Sequence, residues 1–280
     1  MDRVIPKTIN IRGRLVSLET PLVMGILNIT PDSFYESSRC IDVQQALDRA
    51  KQIIDEGGNI IDVGAYSSRP GAEDVSEEEE IARLRSVLPI IRERYPDTII
   101  SVDTFRSRVA RYVVEECGVD IINDIMGGEG DEDMFETIAQ LNVPYVLMHM
   151  RGTPQTMQQN TDYDDVLVEI IGYFSEKIEE LRLLGVKDVI LDPGFGFAKS
   201  LEQNYNIVKK LADIAQFNLP LLVGVSRKSM IYQPLNISPS ESLTGTIALN
   251  TLALTKGADI LRVHDVKECA ETIKIFELSK

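Results

Sequence analysis

Eight near-continuous apolar runs, separated by segments of helical periodicity, leave this chain few architectures to choose from. The runs are Leu22–Leu27, Ile60–Val63, Thr98–Val102, Asp120–Ile122, Tyr145–Met148, Val189–Leu191, Leu221–Val225 and Ile260–Val263. A strand that is apolar at nearly every residue must be covered on both faces, which is the condition of a parallel sheet with helices packed outside it. The segments Asp42–Glu56, Phe105–Cys117, Asp131–Leu141, Tyr163–Leu184, Leu201–Phe217, Ser240–Lys256 and Val266–Ser279 supply the helical patterns. Ser76 and Glu79 have the spacing of a capping box ahead of Ile81, Leu84, Leu88 and Ile91, which recur at helical intervals. Ahead of the first run, Lys7–Glu19 alternates polar and apolar residues about Gly13 and predicts a β-hairpin. This alternation, in a chain of roughly 250 residues once the hairpin is set aside, predicts an α/β fold of the (β/α)8 TIM-barrel type with an N-terminal β-hairpin. A doubly wound open sheet is the competitor. Against it, no Gly-x-Gly-x-x-Gly follows the first run, and Gly194-Phe-Gly196 comes after the sixth and lacks the third glycine.

The chain has 280 residues, 44% hydrophobic and 26% charged, with no low-complexity linker, so residues 1–280 are expected to form one domain around one large core. No run approaches a membrane span, and the basic stretch near Met1 is too short and polar for a signal peptide, so a cytoplasmic location is expected. Cys40, Cys117 and Cys269 are widely spaced and form no paired motif, which argues for reduced, mostly structural thiols rather than a disulfide framework or a zinc site. A net charge of −15 argues against non-specific nucleic-acid binding. An anionic ligand would therefore need arginines and lysines gathered in one place.

Polar residues stand at or just past the ends of the apolar runs: Asn28; Asp62 with Ser67, Ser68 and Arg69; Asp103; Asn123 with Asp124; His149; Asp192; Ser226-Arg227-Lys228; and Arg262 with His264. In a barrel these ends converge on one face, where barrel active sites are built. Taken singly, Asp62 and Asp124 read as structural hydrogen-bonding groups. Taken together, the set is too varied in type for an ordinary solvated face. Arg262, His264, Asn28 and Ser67 or Ser68 suit a phosphate or diphosphate. Asp103, Asn123, Asp192 and Lys228 suit a hydrogen-bonding heterocycle, the carboxylates accepting from ring N–H and amino groups and the lysine donating. The stretch Asp192-Pro-Gly-Phe-Gly-Phe-Ala-Lys199 joins an apolar run to a helical segment, and its acid followed by aromatics alternating with glycine describes a flat apolar slot with a polar base, fit for a planar ring. No nucleophile stands out. Ser226 lies in Gly224-Val-Ser226-Arg, which is not a Gly-x-Ser-x-Gly elbow, and no Walker loop is present.

These residues fall within motifs that run through nearly the whole chain: GILNITPDSF from Gly25, SSRPGA from Ser67, SVDT from Ser101, INDI from Ile122, MRGTPQTMQ from Met150, DPGFGF from Asp192, SRKS from Ser226 and RVHDV from Arg262. On them the sequence resembles the dihydropteroate synthase family. The resemblance implies a (β/α)8 barrel that joins 6-hydroxymethyl-7,8-dihydropterin diphosphate to p-aminobenzoate. Diphosphate leaves by dissociative substitution, 7,8-dihydropteroate forms, and Mg2+ assists. It further implies a homodimer and sensitivity to sulfonamides as mimics of p-aminobenzoate. Carried over residue by residue, it assigns Asp103, Asn123, Asp192 and Lys228 to the pterin, with Met148 in the same pocket. Asn28, Arg262 and His264 fall to the diphosphate, with Asn28 as the metal ligand. Ser68, Arg69, Phe197, Lys228 and Ser229 fall to p-aminobenzoate, and Asp103, Asp192, Lys228 and Arg262 carry the catalytic roles.

The chain departs from the family pattern in two places. Gly64-Ala-Tyr-Ser-Ser-Arg-Pro-Gly71 stands where Gly-Glu-Ser-Thr commonly follows the first glycine, so Ala65, Tyr66 and Ser68 differ, and Phe34-Tyr-Glu-Ser-Ser38 stands where many members have Ser-Asp-Gly-Gly. Both touch segments rich in Ser, Gly and Pro, Asn28–Cys40 and Gly64–Asp74, which are expected to be exposed and poorly ordered until diphosphate binds. Three rival functions are methyl transfer from a methylated folate to a corrinoid protein, a class I aldolase using Lys228 as a Schiff base, and an inactive pterin-binding partner.

Overall fold

The computed structural model describes residues 7–29, 39–66 and 75–280. Ser67, Ser68, Arg69, Phe34 and most of the two Ser/Gly/Pro-rich segments lie outside the described residues, as does any test of their expected order.

The predicted hairpin is present as β1 (Thr8–Ile11) and β2 (Arg14–Ser17), antiparallel with Thr8 opposite Ser17. Its turn uses Arg12 and Gly13 at φ 51° and 79°, the left-handed pair that a two-residue hairpin requires. Eight parallel strands follow: β3 (Leu22–Asn28), β4 (Ile60–Gly64), β5 (Ile99–Asp103), β6 (Ile121–Asp124), β7 (Tyr145–Met148), β8 (Val189–Asp192), β9 (Leu222–Val223) and β10 (Ile260–Val263). They pair in the order β8-β7-β6-β5-β4-β3-β10-β9. A parallel bridge between Leu191 and Leu221, with the Leu191 N–H donating to Pro220 O at 2.8 Å, brings the two edges together. The result is the nearly closed (β/α)8 barrel that the alternation predicts.

Outward-facing strand residues such as Val23, Ile61, Val102 and Leu261 pack beneath the surrounding helices. The helices are α1 (Arg39–Asp55), α2 (Glu77–Arg94), α3 (Ser107–Cys117), α4 (Met134–Leu141), α5 (Val166–Leu183), α6 (Leu201–Lys209), α7 (Leu211–Ala215), α8 (Ser229–Leu235), α9 (Leu243–Leu254) and α10 (Val266–Ser279). Inward-facing residues near the strand starts, among them Met24, Ile60, Ile121, Val146, Ile190 and Ile260, form a separate apolar layer, onto which Ile9 and Ile11 of the hairpin pack. The hairpin is tied there by aspartates that stand just before strands. Lys7 pairs with Asp259 at 2.7 Å, Arg12 with Asp120 at 3.0 Å, and the Asn10 N–H donates to Asp188 Oδ1 at 3.2 Å. The hairpin is therefore a plug at the end of the barrel away from the strand termini.

Four local expectations change. The helix expected over Leu201–Phe217 is two helices, α6 and α7, because the Lys210 N–H is shared between Asn206 O and Ile207 O and tightens the turn, after which Leu211 and Ile214 re-enter the core. The seventh run contracts to Leu222–Val223, since the chain turns where the Lys228 N–H meets Val225 O, and the short helix α8 follows. The helix expected from Ser240 begins at Leu243, because Pro239–Glu241 forms its own 3-10 turn capped by Ser238. At α2 only half of the capping box forms. Ser76 Oγ accepts the Glu79 N–H at 3.2 Å, while the Glu79 carboxylate turns to Arg83 at 2.5 Å. Cys117 and Cys269 are free and buried, as expected of reduced structural thiols.

Because the plug packs far from the strand ends, its packing and the chemistry should separate. Ile9 is 1% exposed. The Ile9→Ala variant should lose about 2–4 kcal/mol of stability in urea unfolding, with kcat/KM held within about twofold in the folded range.

Candidate active site

The centre of the strand-end face is a charge network. Asp62, fully buried in β4, accepts Arg262 Nε on Oδ2 at 2.7 Å, Asn123 Nδ2 on Oδ2 at 3.2 Å and Ser101 Oγ on Oδ1 at 2.7 Å. Arg262 reaches from β10 and donates through Nη2 to Asp103 Oδ2 at 3.1 Å. One guanidinium thus serves two carboxylates on neighbouring strands. Burial pushes the Asp103 carboxyl up from its ordinary value and the charge of Asp62 adds to that, while Arg262 pulls it down. Burial works against the Arg262 charge, but Asp62 and Asp103 outweigh it and hold the guanidinium above its ordinary value.

Asp192 ends β8, and its Oδ1 accepts the Gly194 N–H at 2.8 Å. Oδ2 receives no hydrogen bond from another described residue. Burial raises this carboxyl, with Lys228 the strongest opposing charge. The turn beyond it needs its glycines. Gly194 has φ 70°, and a Cβ there would lie 2.1 Å from His149 O. Gly196 has φ 79°, with the Lys228 stem 3.2 Å from where its Cβ would be. Lys228, the residue before α8, donates Nζ to Phe195 O at 2.5 Å and sits 4.6 Å above the Phe197 ring. Burial brings its ammonium down to about 8. Beside these groups Ile125, Met126, Met148, Met150, Met157 and Ala198 cluster with Phe105 and Phe197. These side chains form one apolar cluster, separate from the layer near the strand starts.

The other end of the face belongs to β3 and β10. Asn28 pairs in register with Gly64, where a Cβ would come within 3.1 Å of Asn28 Oδ1, so the glycine leaves room for the amide. The Asn28 side chain makes no hydrogen bond to another described residue. Beyond β10, Ser226 Oγ accepts the His264 backbone N–H at 3.2 Å and lies 3.1 Å from His264 Nδ1. The roles across the Oγ–Nδ1 contact follow the imidazole tautomer: with the ring proton on Nε2 the hydroxyl donates to Nδ1, and with it on Nδ1 the hydroxyl accepts. Burial, with Arg262 and Arg227 adding, lowers the His264 pKa to about 4. Arg227 itself is occupied by Asp265 at 2.6 Å, and Ser229 opens α8.

The structure therefore gathers Asn28, Asp103, Asn123, Met148, Asp192, Phe197, Lys228, Ser229, Arg262 and His264 at one end of the barrel, while Ser68 and Arg69 lie outside the described residues. Two strand-end residues take structural places. His149 is buried against the Tyr173 ring at 5.1 Å with its Nδ1 unpartnered among described residues, and burial lowers its pKa to about 2, so it packs as a neutral ring. Asp124 binds Tyr145 Oη at 2.6 Å and the N–H groups of Met126 and Gly128, organising the loop after β6. Asp62 is structural too, but its main partner is Arg262, a link that the sequence reading missed. The available signal was a carboxylate and a hydroxyl, Asp62 and Ser101, placed inside otherwise apolar runs.

Among the described residues no group of three or more His, Cys, Asp or Glu side chains is arranged to hold a metal. The donor set suits only a cation that takes most of its oxygens from water and ligand, with Asn28 Oδ1 as a protein contribution.

Comparison with known proteins agrees with this geometry. The family model for pterin binding enzymes matches residues 24–264. The chain is 45% identical to dihydropteroate synthase of Escherichia coli strain K12 over 268 residues, 95% of this chain and 94% of that one. It is 42% identical to the Bacillus subtilis strain 168 enzyme of the same name over 264 residues, 92% of this chain and 88% of that one. Among solved structures, Yersinia pestis dihydropteroate synthase in complex with a sulfonamide drug superposes with a TM-score of 0.91 at 40% identity, covering 98% of this chain and 99% of that one. The Xanthomonas albilineans dihydropteroate synthase with 4-aminobenzoic acid gives 0.91 at 33% identity, covering 98% of each. With a family model over most of the chain, full-length relatives well above a third identical and the same barrel, this chain belongs to the dihydropteroate synthase family of pterin binding enzymes.

Proposed function

We propose that the protein condenses 6-hydroxymethyl-7,8-dihydropterin diphosphate with p-aminobenzoate to give 7,8-dihydropteroate and diphosphate. The observation that carries this reading is the division of the site into two chemically distinct ends around Arg262. On one side stand Asn28, His264 and the guanidinium; on the other stand Asp103, Asn123, Asp192 and Lys228 beside the methionine and phenylalanine wall.

In this reading the pterin lies against the apolar wall with Asp192 Oδ2 and Asp103 accepting from its N–H and amino groups, Lys228 donating, and the Asn123 amide turned so that Nδ2 stays on Asp62 and Oδ1 faces the ring. Two of the five guanidinium N–H groups of Arg262 are held by Asp62 and Asp103, which leaves three for the diphosphate. His264, in the tautomer that carries its proton on Nε2, adds a donor there. Mg2+, when bound, would neutralise diphosphate charge, with Asn28 Oδ1 as its protein ligand. The C–O bond to diphosphate breaks with its electron pair going to the leaving oxygen. The carboxylates of Asp103 and Asp192 hold the cationic methylene by their field. The amine lone pair of p-aminobenzoate then forms the C–N bond, and one amine proton is lost to solvent. Phe197, Lys228 and Ser229, with Ser68 and Arg69, border its ring and carboxylate. No protein nucleophile is needed.

We place the enzyme in the cytoplasm as a homodimer. No described helix is long and apolar enough to cross a membrane. Leu201 and Tyr205 on α6, Leu235 on α8 and Leu252 on α9 are exposed large apolar groups on helices that pack together, and they offer apolar surface for such a contact.

The direct test is incubation with pterin diphosphate, Mg2+ and p-aminobenzoate, with dihydropteroate as the expected product; its absence would leave a binding protein without turnover. Asp192→Asn places an amide donor against a pterin donor and should lower kcat/KM by about 2–4 kcal/mol in transition-state terms. A loss under about threefold would remove Asp192 from the pterin contact. At the anion end the neutral imidazole of His264 gives a calorimetric signature. An anion beside Nε2 raises its pKa from about 4, so near pH of about 5.5 diphosphate binding should take up more protons when the imidazole is present than when it is absent. Titrations in buffers of different ionisation enthalpy should show greater proton uptake, or smaller release, in the wild type than in His264→Asn, and equal proton counts would remove His264 from the anion contact.

A further inference from the structure

Lys199 closes the DPGFGFAK stretch and is 4% exposed, yet it forms no ion pair among the described residues. Its Nζ instead donates to three backbone carbonyls, Phe197 O at 2.9 Å, Gly194 O at 3.0 Å and His149 O at 3.1 Å. All three ammonium protons are thereby used on neutral acceptors. Two of the carbonyls belong to the loop after β8 and the third to the residue after β7, so one buried cation fixes the separation of two adjacent strand ends. The loop is shaped for it. Residues 194, 196 and 198 are all left-handed, at φ 70°, 79° and 49°, and Ala198 takes that conformation despite its side chain.

The contacts lead directly to groups of the site. The peptide whose oxygen Lys199 holds at Gly194 belongs to the residue whose N–H fixes Asp192 Oδ1, so the ammonium helps decide where Asp192 Oδ2 points. The carbonyl of Phe197 is pinned from beneath while its ring lies under Lys228 Nζ, so the same ammonium sets the aromatic wall. Burial is the largest influence on this ammonium and brings it down to about 7; of the facing charged groups Asp192 favours it, and Lys228 and Arg151 oppose it. A cation kept at such cost in a site where an apolar stem would pack needs a reason beyond packing.

We propose that Lys199 is a positioning residue of the site, holding the loop after β8 against the end of β7 so that Asp192 and Phe197 present their pterin and p-aminobenzoate faces together. The inference rests on the synthase reading for its kinetic test. Lys199→Met keeps the stem and removes the donors. In the folded variant KM for p-aminobenzoate and for the pterin substrate should each rise by at least about tenfold, while inhibition by diphosphate, bound at the Arg262 end, stays within about twofold. Unchanged KM values beside a lowered melting temperature would make Lys199 a folding staple only and overturn the proposal, as would equal loss of all three affinities. If Lys199→Met does not fold, Lys199→Arg keeps a cation but spreads its donors over a planar fork. It should then show the same split, at least about threefold in both KM values, and no split overturns the idea. Should the wild type make no dihydropteroate, the synthase reading fails first. Calorimetric binding of a phosphate-free pterin to wild type and variant still decides the clamp, with at least about tenfold weaker binding to the variant expected and equal binding overturning it.

Discussion

An arginine that shares its guanidinium between two aspartates on neighbouring strands is the interaction on which the rest of the site depends. Arg262 binds Asp62 at 2.7 Å and Asp103 at 3.1 Å, and Asp62 is held in turn by Ser101 and Asn123. Four strands, β4, β5, β6 and β10, are thus locked to one another at the mouth of the barrel by polar contacts whose members are buried or nearly so. Without the guanidinium, Asp62 and Asp103 would face each other unscreened in a low-dielectric pocket. Buried ion pairs of this kind add little net stability compared with apolar packing. Their value lies in fixing charges before the ligand arrives, so that little reorganisation accompanies the reaction.

Around that network the barrel separates its tasks by position. Its strand-start end is apolar, plugged by Ile9 and Ile11 and tied by Lys7 and Arg12 to aspartates before β10 and β6. Its strand-stop end holds several titratable groups whose ordinary values burial has shifted, Lys228 to about 8, His264 to about 4, and the carboxyls of Asp103 and Asp192 upward, while Asp259 is raised by burial at the other end. Such a concentration of shifted groups at one end marks where chemistry is done. Two lysines then shape the loop after β8 from different sides, Lys228 through Phe195 O and the Phe197 ring, Lys199 through three carbonyls. A loop so cross-linked is a rigid wall for a flat ligand.

The sequence alone determined the architecture, because continuous apolar runs can be satisfied only by strands covered on both faces, and their alternation with helical segments admits few topologies. The N-terminal hairpin, the eight strands and the convergence of Asn28, Asp103, Asn123, Asp192, Lys228, Arg262 and His264 on one face were legible in this way. The family was legible from motifs such as DPGFGF and SRKS. Tertiary structure decided which polar residues face the ligand and which face the protein. His149 and Asp192 both end or follow apolar runs, yet one is a neutral packed ring and the other carries a free carboxylate oxygen, a difference set by neighbours from α5 and the β8 loop. It also decided the break between α6 and α7 and the short reach of β9, where backbone hydrogen bonds at Lys210 and Lys228 overrode the local pattern. The bonds from Asp62 to Arg262, and from Lys199 to His149 O, join residues far apart in sequence, 200 and 50 positions. Spacing along the chain carries no trace of them, because their energy exists only once the barrel has brought the strand ends together.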